Sequence, residues 1–377
     1  MHMADRTFIP GRSTQAGRAY ARPARLTLVV VLVLVTALSG AQGAQAGPSD
    51  PLYSKQWGPQ QVRAEQAWAK SVGTGIVIGI VDSGVDLDHP DLATKMLTGK
   101  TFLGCGNAGC GNGDWESGPT DRRKFDSPHG THVAGIAAAL TGNGNGIAGV
   151  APQAKLLPVK VLDEDGGSFS DIALGIRYAA DGGAKVINLS LGALPGVQAL
   201  TFTGLISDVQ KAIAYANAKG AVVVAAAGNE AAPLCGTPGF DPGALCVAAT
   251  DRREAHSYYS NFGVKPDFLA VSAPGGSGLA LFCGEDIVST VPAGKGATYC
   301  EYPGTKDYDE YAGTSMAAPH VAGVAALLAA QGRSRQSTLR AITSTARNPV
   351  TNLRGIYDPV FGYGIVDAEA AVKAPFA

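Results

Sequence analysis

The sequence predicts an α/β fold with a doubly wound, mostly parallel central sheet and helices on both faces. Three observations predict it. Apolar runs of strand length, at 76–81, 156–161, 186–191 and 221–227, carry almost no polar residue, as strands covered on both faces require. Helix-compatible patterns stand at 131–140, 171–180 and 205–219, and a long Ala/Val/Leu stretch at 317–330 reads as a helix buried all round. Such β–α alternation builds a parallel sheet. Polar residues stand where apolar runs end: Asp82, Ser190 and Asn229. Doubly wound sheets bind ligands outside the carboxyl ends of their strands, so the fold alone selects these three as site candidates.

The composition fits one large domain. Of 377 residues only 16% are charged, and 50 are glycine, which suits a tightly packed body with many turns. The net charge of −1 gives no reason to expect nucleic acid or an anionic membrane as partner. The N-terminus reads as an export signal. Arg6, Arg12, Arg18, Arg22 and Arg25 form a basic leader, 26–38 is apolar, and Ala44-Gln45-Ala46 offers a small-x-small cleavage pattern. The apolar run is shorter than the ~20 residues that span a bilayer. Residues 1–46 are therefore expected to be a cleaved signal peptide rather than an uncleaved anchor. Residues 47–377 are expected to be one mature domain with its core at about 54–372, located outside the cell and not stably held by a membrane. The leader is long enough for translation to begin at Met3 or later.

Six cysteines fit export, because an even count in an oxidising compartment favours disulfides. Local spacing suggests Cys105 with Cys110, Cys235 with Cys246 and Cys283 with Cys300, each pair bracketing a Gly- or Pro-rich loop. A zinc site at Cys105 and Cys110 is the rival, but no Cys-x-x-Cys pair or suitable His companion supports it.

Four segments carry chemistry. In Ile78-Gly79-Ile80-Val81-Asp82-Ser83-Gly84 a carboxylate ends a buried strand. It is either a turn cap or a functional acid, since desolvating it requires a hydrogen-bonding or charged partner. In His129-Gly130-Thr131-His132-Val133-Ala134-Gly135 two histidines share a helix face, which raises metal binding. No Glu lies between them, so the zinc-protease pattern is absent. His129, at the loop–helix boundary, can reach a cleft, while His132 belongs inside. In Gly313-Thr314-Ser315-Met316-Ala317-Ala318-Pro319-His320 a serine opens the apolar helix. It is either an ordinary cap or a group whose free first-turn amide faces developing negative charge. Asn229, after Ala225-Ala226-Ala227-Gly228, is either a turn former or a donor to such charge.

Taken together, these segments resemble the subtilisin-like serine proteases, most closely the thermitase branch. The chain order Asp, His, Ser is one of the three known for this triad, and the resemblance covers roughly 50–372. It implies a subtilisin-like fold and a secreted serine endopeptidase acting on polypeptide substrates. Ser315 takes the place of the nucleophile, His129 of the general base and Asp82 of the carboxylate that orients it. Asn229 and the Ser315 amide take that of the oxyanion donors. Ser190, Leu191 and Gly192 resemble the edge that pairs with the substrate backbone. Ala226, Gly228 and Gly236 resemble the walls and floor of the S1 pocket, where small residues leave room for a large apolar P1 side chain.

The resemblance also implies structural calcium, with Asp50, Asp91, Leu140, Asn143, Asn145 and Ile147 as ligands. Two carboxylates, an Asn carbonyl and main-chain carbonyls suit its six to eight oxygens. Asp114, Glu116 and Asp121 offer a second cation set in a segment, 102–125, that departs from the family. No folding propeptide is evident between residue 46 and Asp50. A monomer is expected. The alternative activity is a maturation protease with one narrow partner substrate, if the loops at 100–125 and 275–310 restrict access.

Overall fold

The computed structural model describes residues 48–121, 126–192, 207–279, 283–296, 300 and 306–376. The proposed signal segment, residues 205–206 of one predicted helix, and parts of the 100–125 and 275–310 loops lie outside the described residues.

Two short helices, α1 (Trp57–Gln61) and α2 (Ala64–Trp68), precede the first strand, β1 (Val77–Asp82). Next come β2 (Lys100–Thr101), α3 (His129–Ala138), β3 (Lys155–Lys160), α4 (Phe169–Asp181), β4 (Val186–Leu189), α5 (Ser207–Ala218) and β5 (Val222–Ala226). They are followed by β6 (Ala244–Thr250), β7 (Ala270–Pro274), β8 (Ile287–Thr290), β9 (Tyr308–Tyr311), α6 (Thr314–Ala330), α7 (Arg335–Thr345) and α8 (Ala368–Lys373). The sheet runs β2-β3-β1-β4-β5-β6-β7, and β8 pairs with β9 apart from it. Every neighbouring pair in the seven-stranded sheet is parallel.

Alternation along the strands divides the core into two layers. In β5, Val222, Val224 and Ala226 join the layer formed with α3 and α6. Val223 and Ala225 join the layer formed with α4 and α5. This is the two-sided burial expected of near-continuous apolar strands. The helix α6 is buried from Met316 to Leu328 without a break, matching its lack of a polar face.

Pro319 lies inside α6. It has no N–H, so the carbonyl four residues earlier, Ser315 O, loses its helical partner. The Ser190 hydroxyl donates to that oxygen at 2.7 Å. A strand end beside the cleft is thus joined to the first turn of α6.

Candidate active site

Asp82 is the last residue of β1 and is completely buried. Its Oδ1 accepts the Ser83 amide at 2.7 Å and faces His129 Nδ1, also at 2.7 Å. The carboxylate can only accept, so Nδ1 carries the proton and Nε2 is left as a base. His129 opens α3, and its side chain remains 27% exposed. Burial by itself would lower its pKa. The adjacent Asp82 carboxylate, by charge and by hydrogen bond, outweighs this and raises it above 6.5.

Local packing brings α3 this close. A Cβ on Gly130 would stand 2.2 Å from the Gly84 carbonyl oxygen, so only glycine lets the helix start against the end of β1. Ser83 Oγ accepts the Gly130 amide at 2.9 Å and donates to Ser127 O at 3.0 Å. The second histidine plays no part in this pairing. His132 is buried and stacked on Tyr311 with ring centroids 4.3 Å apart. Burial holds its pKa down to about 3, so it is neutral. The two imidazoles face different partners and do not form a metal pair.

Ser315 follows the first residue of α6, and its hydroxyl is bonded to Ser190 O at 3.4 Å. Asn229 Oδ1 accepts both the amide and the hydroxyl of Thr314 at 2.9 Å, which turns its Nδ2 the other way. A Cβ built on Gly313 would lie 3.4 Å from Asn229 Nδ2 and 3.6 Å from Ser315 N. The two N–H donors therefore border one small volume, and the absence of a side chain at 313 keeps it open.

A cavity of about 370 Å³ has His129, Ser190, Leu191 and Gly192 among its lining residues. The predicted S1 residues Ala226, Gly228 and Gly236 are not among its lining residues. Ala226 ends β5, Gly228 N donates to Thr314 Oγ1 at 3.1 Å, and Gly236 N donates to Ala227 O at 2.6 Å. Thr237 and Pro238, just beyond Gly236, line the cavity itself. So do Leu162, Glu164 and Phe169, which sequence reading missed. Their signal was position: they follow β3, at a carboxyl end of the same sheet.

All three proposed disulfides are present: Cys105–Cys110, Cys235–Cys246 and Cys283–Cys300. The zinc alternative at the first pair is thereby overturned, because both sulfurs are consumed in the bond.

The candidate calcium residues do assemble. Asp50 and Asp91 are both buried. Asp50 accepts the amides of Gly142 and Asn143, and Asp91 accepts Ile147 N at 3.1 Å, Asn143 Nδ2 at 2.8 Å and the Tyr308 hydroxyl at 2.8 Å. Desolvation is the main cause of a raised Asp50 pKa, and the neighbouring Asp91 charge adds to it. The carbonyl oxygens of Leu140, Asn145 and Ile147 accept no hydrogen bond from a described residue. Two buried carboxylates and main-chain carbonyls are the oxygen donors that a hard cation takes. One adjustment is needed: Asn143 presents its nitrogen to Asp91, so its amide must turn over to ligate. By contrast, Asp114 spends its carboxylate on the amides of Glu116 and Leu87, while Glu116 and Asp121 are exposed. Among the described residues no three His, Cys, Asp or Glu side chains gather as a metal set.

The profile of the subtilase family matches residues 73–364. Thermitase of Thermoactinomyces vulgaris is 44% identical over 87% of this chain and 97% of its own length. An extracellular basic protease of Dichelobacter nodosus is 36% identical over 88% of this chain and 56% of its own. Among solved structures, a protease from Pseudoalteromonas arctica is similar with a TM-score of 0.68 and 33% identity, covering 87% of this chain and 99% of that one.

Proposed function

The chain belongs to the subtilase family and is a subtilisin-like serine endopeptidase acting on polypeptides, and from that premise we propose that Asp82, His129, Ser315 and Asn229 carry the reaction. The observation that carries this reading is the 2.7 Å Asp82–His129 bond, which fixes the protonated nitrogen and leaves Nε2 to the cleft. Nε2 takes the Ser315 proton as Oγ bonds to the scissile carbonyl carbon. The carbonyl oxygen becomes an oxyanion facing Asn229 Nδ2 and the Ser315 amide. His129 then gives its proton to the departing amine, leaving an acyl-enzyme. Water repeats the sequence, with His129 again accepting a proton, and releases the acid and Ser315.

The Ser190–Gly192 edge would bind the peptide main chain as an added strand. Small residues at Ala226, Gly228 and Gly236 support a preference for large apolar P1 side chains. Residues 1–46 are proposed to direct export, and the mature enzyme to act outside the cell as a monomer. Labelling of Ser315 by a phosphonyl fluoride, together with hydrolysis of casein, tests the chemistry. A peptide-library cleavage profile tests the specificity; cleavage confined to one motif would replace the broad reading with the narrow maturation protease.

Asn229→Ala is expected to lower kcat by about 10²–10³-fold with little change in KM, the scale known for such a donor in subtilisin. Steady-state kinetics decide: a loss confined to KM would assign Asn229 to substrate binding instead.

Calcium, when bound, would neutralise Asp50 and Asp91 and tie the N-terminal segment to the 140–147 loop. A ligand that binds only the native state stabilises it by about 2.7 kcal/mol at 100 times Kd. Chelation is therefore expected to lower the thermal midpoint, and Asp50→Asn to abolish most of the response to added calcium. Equal midpoints with and without calcium would remove the site.

A further inference from the structure

β3 is apolar at Leu156, Leu157 and Val159 and then ends in a lysine. The Lys160 side chain is only 2% exposed, and its ammonium lies 2.6 Å from Asp126 Oδ1, itself 9% exposed. It also donates to the Trp115 carbonyl. Three facts place this pair next to the reacting groups. Lys160 is the register partner of Asp82 across the β1–β3 ladder. The next amide, Val161 N, donates to Asp82 O at 2.8 Å. Asp126 stands three residues before His129, at the start of the turn that delivers the imidazole.

Stability alone is a poor reason for such a pair. Burying two charges is costly, and well-packed apolar residues in their place are often as stable or more so. What a buried pair does supply is a narrow minimum. Any movement of Asp126 away from Lys160 leaves an ammonium without its counter-charge in a dry site. Among the described residues the turn is also tied by neutral hydrogen bonds, to Ser83 and within itself, and by the Asp82–His129 bond, whose charge changes during turnover. An anchor that takes no part in proton transfer holds the turn through that change.

We propose that the buried Lys160–Asp126 pair is a positioning device for the general base: it pins the approach to His129 so that the imidazole meets Asp82 on one side and the Ser315 hydroxyl on the other. The inference rests on the triad reading given above. Lys160 and Asp126 touch no substrate and are positioning residues. Misplacing a reacting group by about 1 Å costs roughly 10²-fold in rate, so the pair acts on kcat rather than KM.

The test compares the full-length mature enzyme with Lys160→Met and with the double variant Lys160→Met/Asp126→Leu, measuring kcat, KM and thermal midpoint. Lys160→Met is expected to lose both midpoint and about 10²-fold in kcat. The double variant removes the stranded charge, so its midpoint should return towards wild type while kcat stays about 10²-fold low and KM is unchanged. A double variant that regains wild-type kcat along with its midpoint overturns the proposal, since the pair would then act on stability alone. Asp126→Asn, which keeps an acceptor for Lys160 without the charge, gives the same comparison if the double variant does not accumulate; undiminished kcat there also overturns it. Failure of the triad reading looks different: wild type itself would neither turn over casein nor be labelled at Ser315.

Discussion

Ser315→Ala is expected to lower kcat by about 10⁶-fold, the scale known for loss of the nucleophile in subtilisin. The structure explains why the loss should be clean. Alanine is the best helix former, so the first turn of α6 is not weakened. The Ser315 carbonyl still receives the Ser190 hydroxyl, and only the long 3.4 Å bond from Oγ disappears. The residual rate, about 10³–10⁴ above water, comes from the oxyanion donors and binding. Single-turnover kinetics and thermal melts should therefore separate completely, with activity lost and midpoint kept. A variant retaining more than about a hundredth of the activity would remove Ser315 from the nucleophile's role, since that is far above the expectation.

Asp82→Asn is expected to cost about 10⁴-fold in kcat, the scale of tautomer loss in such triads. Asp82 Oδ1 serves two donors, Ser83 N and His129 Nδ1, while Oδ2 is buried with no partner among the described residues. An amide cannot satisfy this arrangement. Placed at the Oδ2 position, its NH₂ is buried without an acceptor. Placed at the Oδ1 position, it faces Nδ1 as a donor and drives the imidazole proton to Nε2, where it blocks acceptance from Ser315. The pH profile supplies an independent check. In the wild type the carboxylate raises the His129 pKa above 6.5, and only the neutral imidazole is a base. kcat/KM should thus climb with pH through an apparent pKa above that value. In Asp82→Asn the raising influence is gone and burial remains, so the residual activity should titrate at lower pH. A midpoint that fails to fall would show that Asp82 does not set the charge of His129.

Part of this site is legible in the sequence because its residues break a pattern. Of the proposed triad the fold argument selects only Asp82, at the end of an apolar strand. His129 at a loop–helix boundary and Ser315 at the start of an apolar helix each have an ordinary structural reading, and their roles come with the family resemblance. β1, β3, β4 and β5 are visible as the apolar runs themselves. The strands β6 and β7 are not. Ala244–Thr250 is dominated by small residues, and Ala270–Pro274 contains Ser272 and ends in proline; neither has a period that separates strand from turn. The hairpin strand Tyr308–Tyr311 holds Asp309 and Glu310, which argue against a strand until the stack of Tyr311 on His132 is known. Lys160 reads only as an interruption in an apolar run. Its counter-charge, Asp126, lies far away in sequence, and pairings of that kind are created by tertiary structure.

The parallel order of the seven strands carries a cost during synthesis. Parallel neighbours cannot be joined by tight hairpins, and each closure must bridge a long stretch of chain before contacts repay it. Asp82 ends the first of these strands and Ser315 opens a helix that follows the last of them, so the proposed site is complete only once the late part of the chain has docked. Chains dominated by such distant pairings fold slowly and stay exposed while they do so. On the proposed triad, an unfinished molecule would be inactive and open to cleavage by its finished neighbours. Refolding yield should fall as total protein rises, through cleavage of late chains by early ones, and the same series in Ser315→Ala should lose the part of that fall due to proteolysis.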